Sequence, residues 1–264
     1  AEDDLPPRVV FLFGKALGRY FLAHNEQQVL VGRDNRLSSK RIRDHLVSGL
    51  TTAGCRVADL GEVITPILYY ARERLKINAA IMITASHNPP EFNGFKVALG
   101  PATIHGEEIQ SLYHLMEELN RETPPDIPLP CADQIEEREL GADYLQMLTE
   151  KIKLGPRKLK VVVDCGNGTA SLFAEQYFTG LGCEVIPLFC TSEGSFPHHQ
   201  PDPVQSANLV ALRESVLRQG ADLGVGFDGD GDRLGIVDDK GEIIWGDRLM
   251  ILYWREILPQ YPGT

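Results

Sequence analysis

Residues 28–60, "QVLVGRDNRLSSKRIRDHLVSGLTTAGCRVADL", decide the fold. "QVLVG" (28–32) reads as a buried strand and "CRVADL" (55–60) as the next one. Between them, "SSKRIRDHLVSGLTTAG" (38–54) reads as a helix with Ser38 as its candidate N-cap and Gly54 as its stop. Strand, helix and strand in succession make a βαβ unit, which points to parallel strands with the helix on one face of the sheet.

The alternation extends both ways. Residues 9–23 form an amphipathic helix before the first strand. After "CRVADL", Thr65 and Pro66 supply an N-cap and a proline at the first helical position for "PILYYARERL", and "NAAIMIT" (78–84) is another strand. A helix near 106–120 leads into "NRETPPDIPLP" (120–130), a surface connection. The pattern restarts at "KLKVVVDCGNGTASLFAEQYFTGLGCEVIPL" (158–188) as strand, glycine-rich turn, helix and strand. Pro203 starts a further helix to about 219, short strands joined by turns fill 221–247, and 247–258 is a closing helix. The fold class is therefore α/β, with a domain boundary near "KLGPRK" (153–158).

At 264 residues the chain has ample length for a sizeable core, and 43% hydrophobic with 24% charged residues is a globular composition. A formal net charge of −11 argues against nucleic acid and anionic membrane surfaces, both of which need basic patches. No apolar run approaches the ~20 residues of a membrane helix. The opening "AEDDLPPR" lacks the basic flank of a signal peptide, and the absence of an initiator methionine fits a trimmed or excised piece. Cys55, Cys131, Cys165, Cys183 and Cys190 contain no C-x-x-C pair and read as ordinary buried thiols of a reducing compartment.

"DGDGDR" (228–233) carries the sharpest chemistry. In a locally extended backbone Asp228, Asp230 and Asp232 fall on one side, and the glycines let the chain curl so that three carboxylates converge on a hard divalent cation such as Mg²⁺. An EF-hand would need glycine where Arg233 stands, and helices where strands are expected. The other reading is an acidic surface turn.

"TASHNPPEFNGFK" (84–96) follows a buried strand and fixes Ser86 beside His87, with Lys96 at its end. The serine-hydrolase elbow fails, because Thr84 and Asn88 occupy its glycine positions. A polar turn residue or a phosphoryl acceptor remains. The second needs cations to hold the reacting oxygens and a base to manage the proton. "CGNGTAS" (165–171) departs from the dinucleotide fingerprint at Ser171 and reads as a structural turn. His198–His199 read as a solvated loop pair, and Arg33 and Asp34 as a local salt bridge.

Taken in order with "VGRDNRLSS", "TPILYYA", "VVVDCGNGTA" and "FPHHQPDP", these motifs resemble the α-D-phosphohexomutases, above all the bacterial phosphomannomutase/phosphoglucomutase type, from about residue 9 to 258. The resemblance implies two tandem three-layer αβα domains with mixed, mostly parallel sheets: domain I (1–155) with a phosphoserine loop and domain II (156–264) with a metal-binding loop. It implies interconversion of hexose 1-phosphate and hexose 6-phosphate in the cytoplasm. Ser86 would carry the phosphoryl group, and a hexose 1,6-bisphosphate would serve as intermediate and activator. One Mg²⁺ would be held by Asp228, Asp230, Asp232 and a Ser86 phosphate oxygen. His87 and Lys96 would serve proton transfer and charge stabilisation, and Arg233 would steady the phosphate.

Two departures stand out. The family has four domains, and the chain matches the first two; domains III and IV, with the sugar- and distal-phosphate-binding loops, are the implied partners alongside the phosphosugar. The family's N-terminal strand has no match in "AEDDLPPR". "NGFK" leans towards mannose and glucose phosphates. A Mg²⁺-dependent phosphatase acting through phosphoserine, or a non-catalytic half needing a separate C-terminal partner, are the alternatives.

Overall fold

The computed structural model describes residues 4–263; the first three residues of the acidic opening, and Thr264, lie outside them. The chain divides into two compact units, one running to Leu148 and including Glu193–Ser195, the other formed by Thr149–Ser192 and the chain from Phe196 on.

In the first unit, β1 (Gln28–Arg33) pairs in parallel with β2 (Arg56–Glu62) and with β3 (Ala79–Ile83). Two short strands, β4 (Phe95–Leu99) and β5 (Ala102–Thr103), return antiparallel beyond β3, and β6 (Ile135–Glu137) adds in parallel to β2. The order is β5-β4-β3-β1-β2-β6. Side chains alternate across the sheet. Val29, Val31, Ile81, Ile83 and Val97 face a core built with α1 (Pro7–Ala23), α2 (Ser39–Ala53) and α4 (Glu107–Glu122). The opposite face packs against α3 (Thr65–Leu75), and α5 (Gly141–Lys151) is tied to α3 by Tyr70 donating to Asp143 at 2.8 Å. Helices α1 and α2 touch backbone to backbone: a Cβ on Gly14 would lie 2.2 Å from Leu46 O, and one on Gly49 2.2 Å from Phe11 O. Glycine at both positions sets their spacing.

The helix ends correct the capping expectations. Ser38 stands at the N-cap of α2 but in helical geometry and without a capping bond; its hydroxyl accepts from Asn93 Nδ2 at 2.9 Å instead. Gly54 ends α2 at φ 104°, as expected. The N-cap of α3 is Ile64, so Thr65 is already inside the helix.

In the second unit the order is β11-β10-β9-β7-β8. The strands are β7 (Lys160–Asp164), β8 (Glu184–Leu188), β9 (Leu223–Phe227), β10 (Leu234–Asp238) and β11 (Ile243–Ile244). Strands β8 and β9 run parallel to β7; β10 and β11 return antiparallel. Helix α7 (Val210–Gln219) buries Leu212 and Val216 against Val162 and Val237, while α6 (Ala174–Gly180) packs beside β7 and β8. Pro203 does not open α7: Asp202 to Gln205 form a turn, a 3₁₀ segment covers Ser206–Leu209, and α7 begins at Val210. Helix α8 (Gly246–Ile257) buries none of its residues and exposes Met250, Ile251, Leu252, Tyr253, Trp254 and Ile257.

The cysteines are all free thiols. Cys55, Cys165 and Cys183 are buried as expected, but Cys131 is exposed and Cys190 half-buried. Among the described residues no helix is long and apolar enough to cross a membrane.

Candidate active site

Ser86 sits three residues past the end of β3, at the carboxyl end of the parallel strands, where α/β sheets place ligands. It is buried, and its φ is +52°, a conformation that costs a residue with a side chain roughly 1–2 kcal/mol. Its amide donates to Thr84 Oγ1 at 2.8 Å, and the amide of Asn88 closes a turn onto Ala85 O at 3.0 Å.

The loop is held from its centre by Arg36, whose role the sequence did not disclose. Its Nη2 donates to Ser86 O and Asn88 O, both at 2.7 Å, and its Nη1 to Pro89 O at 2.6 Å and Phe92 O at 3.2 Å. Its Nε donates to Asp34 Oδ2 at 3.0 Å. All five guanidinium donors are therefore used, in a side chain that is 0% exposed. Asp34 in turn accepts the Arg36 amide at 3.1 Å and the Ser39 hydroxyl at 2.5 Å. Burial pushes the Asp34 carboxyl above its ordinary value, against the pull of Ser39, Arg36 and Thr84.

The structure thus corrects the Arg33–Asp34 pairing. Asp34 binds Arg36, and Arg33 binds Glu62 at 2.8 Å. His87 is half-buried in the same loop as Ser86, whereas Lys96 stands on β4 opposite Met82 and borders an apolar groove of about 600 Å³ with Phe13, Phe95 and Tyr113.

In the second unit, Asp228 follows β9 directly, and Arg233 precedes β10, so strands flank the acidic loop on both sides. The loop is a tight turn and not the extended run expected. Gly231 donates to Asp228 O at 3.1 Å, and Asp228 Oδ1 accepts the amides of Asp232 and Arg233, each at 3.0 Å. One oxygen from each of Asp228, Asp230 and Asp232 lies within 4.8 Å of the others. Asp228 and Asp230 are 0% exposed. Arg233 Nε approaches Asp232 Oδ1 at 3.7 Å and Asp228 Oδ2 at 3.9 Å. A hard, all-oxygen anionic donor set of this kind fits Mg²⁺.

The glycine-rich turn 165–169 supports this loop. Thr169 donates its amide to Gly229 O at 3.0 Å, and a Cβ on Gly168 would stand 3.0 Å from that same oxygen. The histidine pair also makes structural contacts: His198 is exposed as expected, whereas the partly buried His199 corrects the solvated reading. His199 Nε2 meets Asp164 at 3.1 Å, His198 Nδ1 meets Asn167 Oδ1 at 2.7 Å, and His198 stacks on Phe189 at 4.1 Å between centroids. Burial pulls His199 down, but the Asp164 carboxylate outweighs it and leaves its pKa above the ordinary 6.5.

Residues 1–122 match the family model of phosphoglucomutase/phosphomannomutase α/β/α domain I, and residues 142–241 that of domain II. A phosphomannomutase/phosphoglucomutase of Pseudomonas putida is 44% identical over 98% of the chain and 54% of its own length. A phosphoglucomutase of Neisseria meningitidis is 37% identical over 98% of the chain and 55% of its own length. A solved phosphoglucomutase/phosphomannomutase family protein of Burkholderia thailandensis superposes with TM-score 0.90 at 37% identity, over 98% of this chain and 57% of that one. The chain spans about half the length of the curated relatives it matches. Both matched domains, and relatives that align over nearly the whole chain, lead to one conclusion: the chain belongs to the phosphoglucomutase/phosphomannomutase family.

Proposed function

We propose that this chain supplies the phosphoryl-carrying and metal-binding domains, residues 1–155 and 156–264, of a cytoplasmic phosphohexomutase acting on mannose or glucose phosphates. Phosphorylated Ser86 gives its phosphoryl group to the free hydroxyl of a hexose monophosphate and, after the resulting hexose 1,6-bisphosphate reorients, takes back the phosphoryl group from the other position. The observation that carries this reading is Ser86 itself. A buried non-glycine residue held at φ +52°, with the surrounding carbonyls bound by Arg36, stores strain at one defined hydroxyl.

The chain's own residues would act as follows. The fixed backbone at 84–94 orients the Ser86 hydroxyl for in-line transfer, so little entropy is lost at the moment of reaction. His87, in the same loop, manages the hydroxyl proton, while Lys96 offsets part of the charge of phosphoserine, about −1.5 to −2. Asp228, Asp230 and Asp232 would hold Mg²⁺, which supplies concentrated positive charge to phosphoryl oxygens. Hexose recognition belongs to further domains such as those in the remaining length of the relatives. The exposed apolar face of α8 supports the need for such a cover, since contiguous apolar patches of this kind mark contact surfaces.

The test is the half-reaction. Incubated with glucose or mannose 1,6-bisphosphate and Mg²⁺, the chain should convert one equivalent of bisphosphate to hexose monophosphate while gaining one phosphoryl group. Inorganic phosphate released continuously, with no hexose monophosphate isomerised and no lasting build-up of phosphorylated protein, would replace the mutase reading with the phosphatase one.

A further inference from the structure

Cys165 and Cys190 follow the ends of the parallel neighbours β7 and β8, just past the paired residues Asp164 and Leu188. Their sulfurs lie 3.3 Å apart. The backbone around them is fixed: Cys165 donates its amide to Leu188 O at 3.1 Å, and Asn167 donates its amide to Phe189 O at 2.9 Å. Asn167 Nδ2 adds a bond to Thr191 O at 2.8 Å. Two sulfurs held at contact distance across neighbouring strands need to approach by little more than 1 Å to reach the ~2.05 Å of a disulfide.

The two thiols are unequal. Cys165 is fully buried, while Cys190 is half-buried and reachable by a small oxidant. The Cys165 thiol pulls Cys190 below its ordinary value, and the same hydrogen bond, reinforced by burial, pushes Cys165 up. The more accessible sulfur is thus also the better thiolate, the arrangement found where one cysteine is attacked and a neighbour resolves it.

We propose that Cys165 and Cys190 are a reversible dithiol–disulfide couple, with Cys190 the sulfur that peroxide attacks and Cys165 the one that resolves it. The Cys190 thiolate attacks one peroxide oxygen; the S–O bond forms, the O–O bond breaks, and the departing oxygen leaves as water after protonation. Cys165 then attacks the Cys190 sulfur. The S–S bond forms, the S–O bond breaks, and the hydroxide leaves as a second water with the Cys165 proton. Two thiols lose two electrons, and one peroxide gains them. A thiol reductant reverses the step, so Cys190 is spared the irreversible sulfinic and sulfonic acids.

The test treats the intact chain with a slight excess of hydrogen peroxide, alkylates remaining thiols under denaturing conditions, and maps the peptides. A cross-link between the Cys165 and Cys190 peptides is expected, abolished by dithiothreitol, with Cys55 and Cys183 still alkylated. Cys165→Ser should drive Cys190 to sulfinic and sulfonic acid under the same treatment. Sulfinic or sulfonic acid at Cys190 in the unsubstituted chain, with Cys165 still open to alkylation, would overturn the proposal whether or not the variant folds.

Discussion

Two loops at the carboxyl ends of strands carry the candidate site residues of this chain, and they are held in opposite ways. The Ser86 loop is organised by one charged side chain, Arg36, which reaches four carbonyls and a carboxylate. The Asp228–Arg233 loop is organised by amides: those of Asp232 and Arg233 on Asp228 Oδ1, and that of Thr169 on Gly229 O. A loop that must present a strained hydroxyl is gripped by a buried cation. On the proposed function, a loop that presents carboxylates to a cation cannot use that device, since a buried guanidinium among them would compete with the ion, so neutral N–H groups hold it instead.

The largest effect should come from Arg36→Met. It leaves the Asp34 carboxyl buried without its counter-ion and strips four carbonyls of their donors, so the first unit should lose about 3–5 kcal/mol. Urea unfolding would show this. Adding Asp34→Asn should recover part of the loss, because the stranded charge goes with it.

Gly168→Ala is the corresponding test of the backbone-held loop. Gly168 has φ −73°, which any residue adopts, so its substitution acts through contact alone. A methyl group 3.0 Å from Gly229 O and 3.1 Å from its Cα must displace backbone, which should cost about 1–3 kcal/mol and weaken Mg²⁺ binding in calorimetry. Unchanged stability and metal affinity would mean that the glycine turn does not position the acidic loop.

These two expectations separate what was legible in the sequence from what was not. Ser86, His87 and the three aspartates were readable as candidates because each set is contiguous, and the chemistry proposed for it follows from neighbours a few residues away. Arg36 was not, because it works on carbonyls about fifty residues on, and a carbonyl has no residue signature. The same holds for Gly168 against Gly229, and for His199, whose partner Asp164 lies across the unit. The parallel strands and their helices followed from alternation. Strands β4, β5 and β6 did not, being short or tucked between loop-like segments, and neither did α5.

A smaller effect of opposite sign should come from Ser86→Gly. Glycine relieves the cost of φ +52° but adds unfolded-state freedom, so stability should rise by up to ~1 kcal/mol while phosphoryl acceptance disappears. A clear loss of stability would mean that the serine side chain itself supports the loop.

The smallest effect concerns pH. The folded pKa of His199 lies above 6.5, so its ion pair with Asp164 contributes stability that is complete below 6.5 and fades as pH rises through the folded value. The melting temperature of the second unit should fall gently over that window, and His199→Gln should flatten the slope. A slope unchanged in the variant would assign the dependence to another group.

The central claim is that Ser86 is the phosphoryl carrier, and mapping the modified residue tests it most directly. After incubation with a hexose 1,6-bisphosphate, peptide sequencing by mass spectrometry should place a single phosphoryl group on Ser86, and Ser86→Ala should remain unmodified. Phosphate on another residue while Ser86 stays bare, or equal labelling of the alanine variant, would contradict the account.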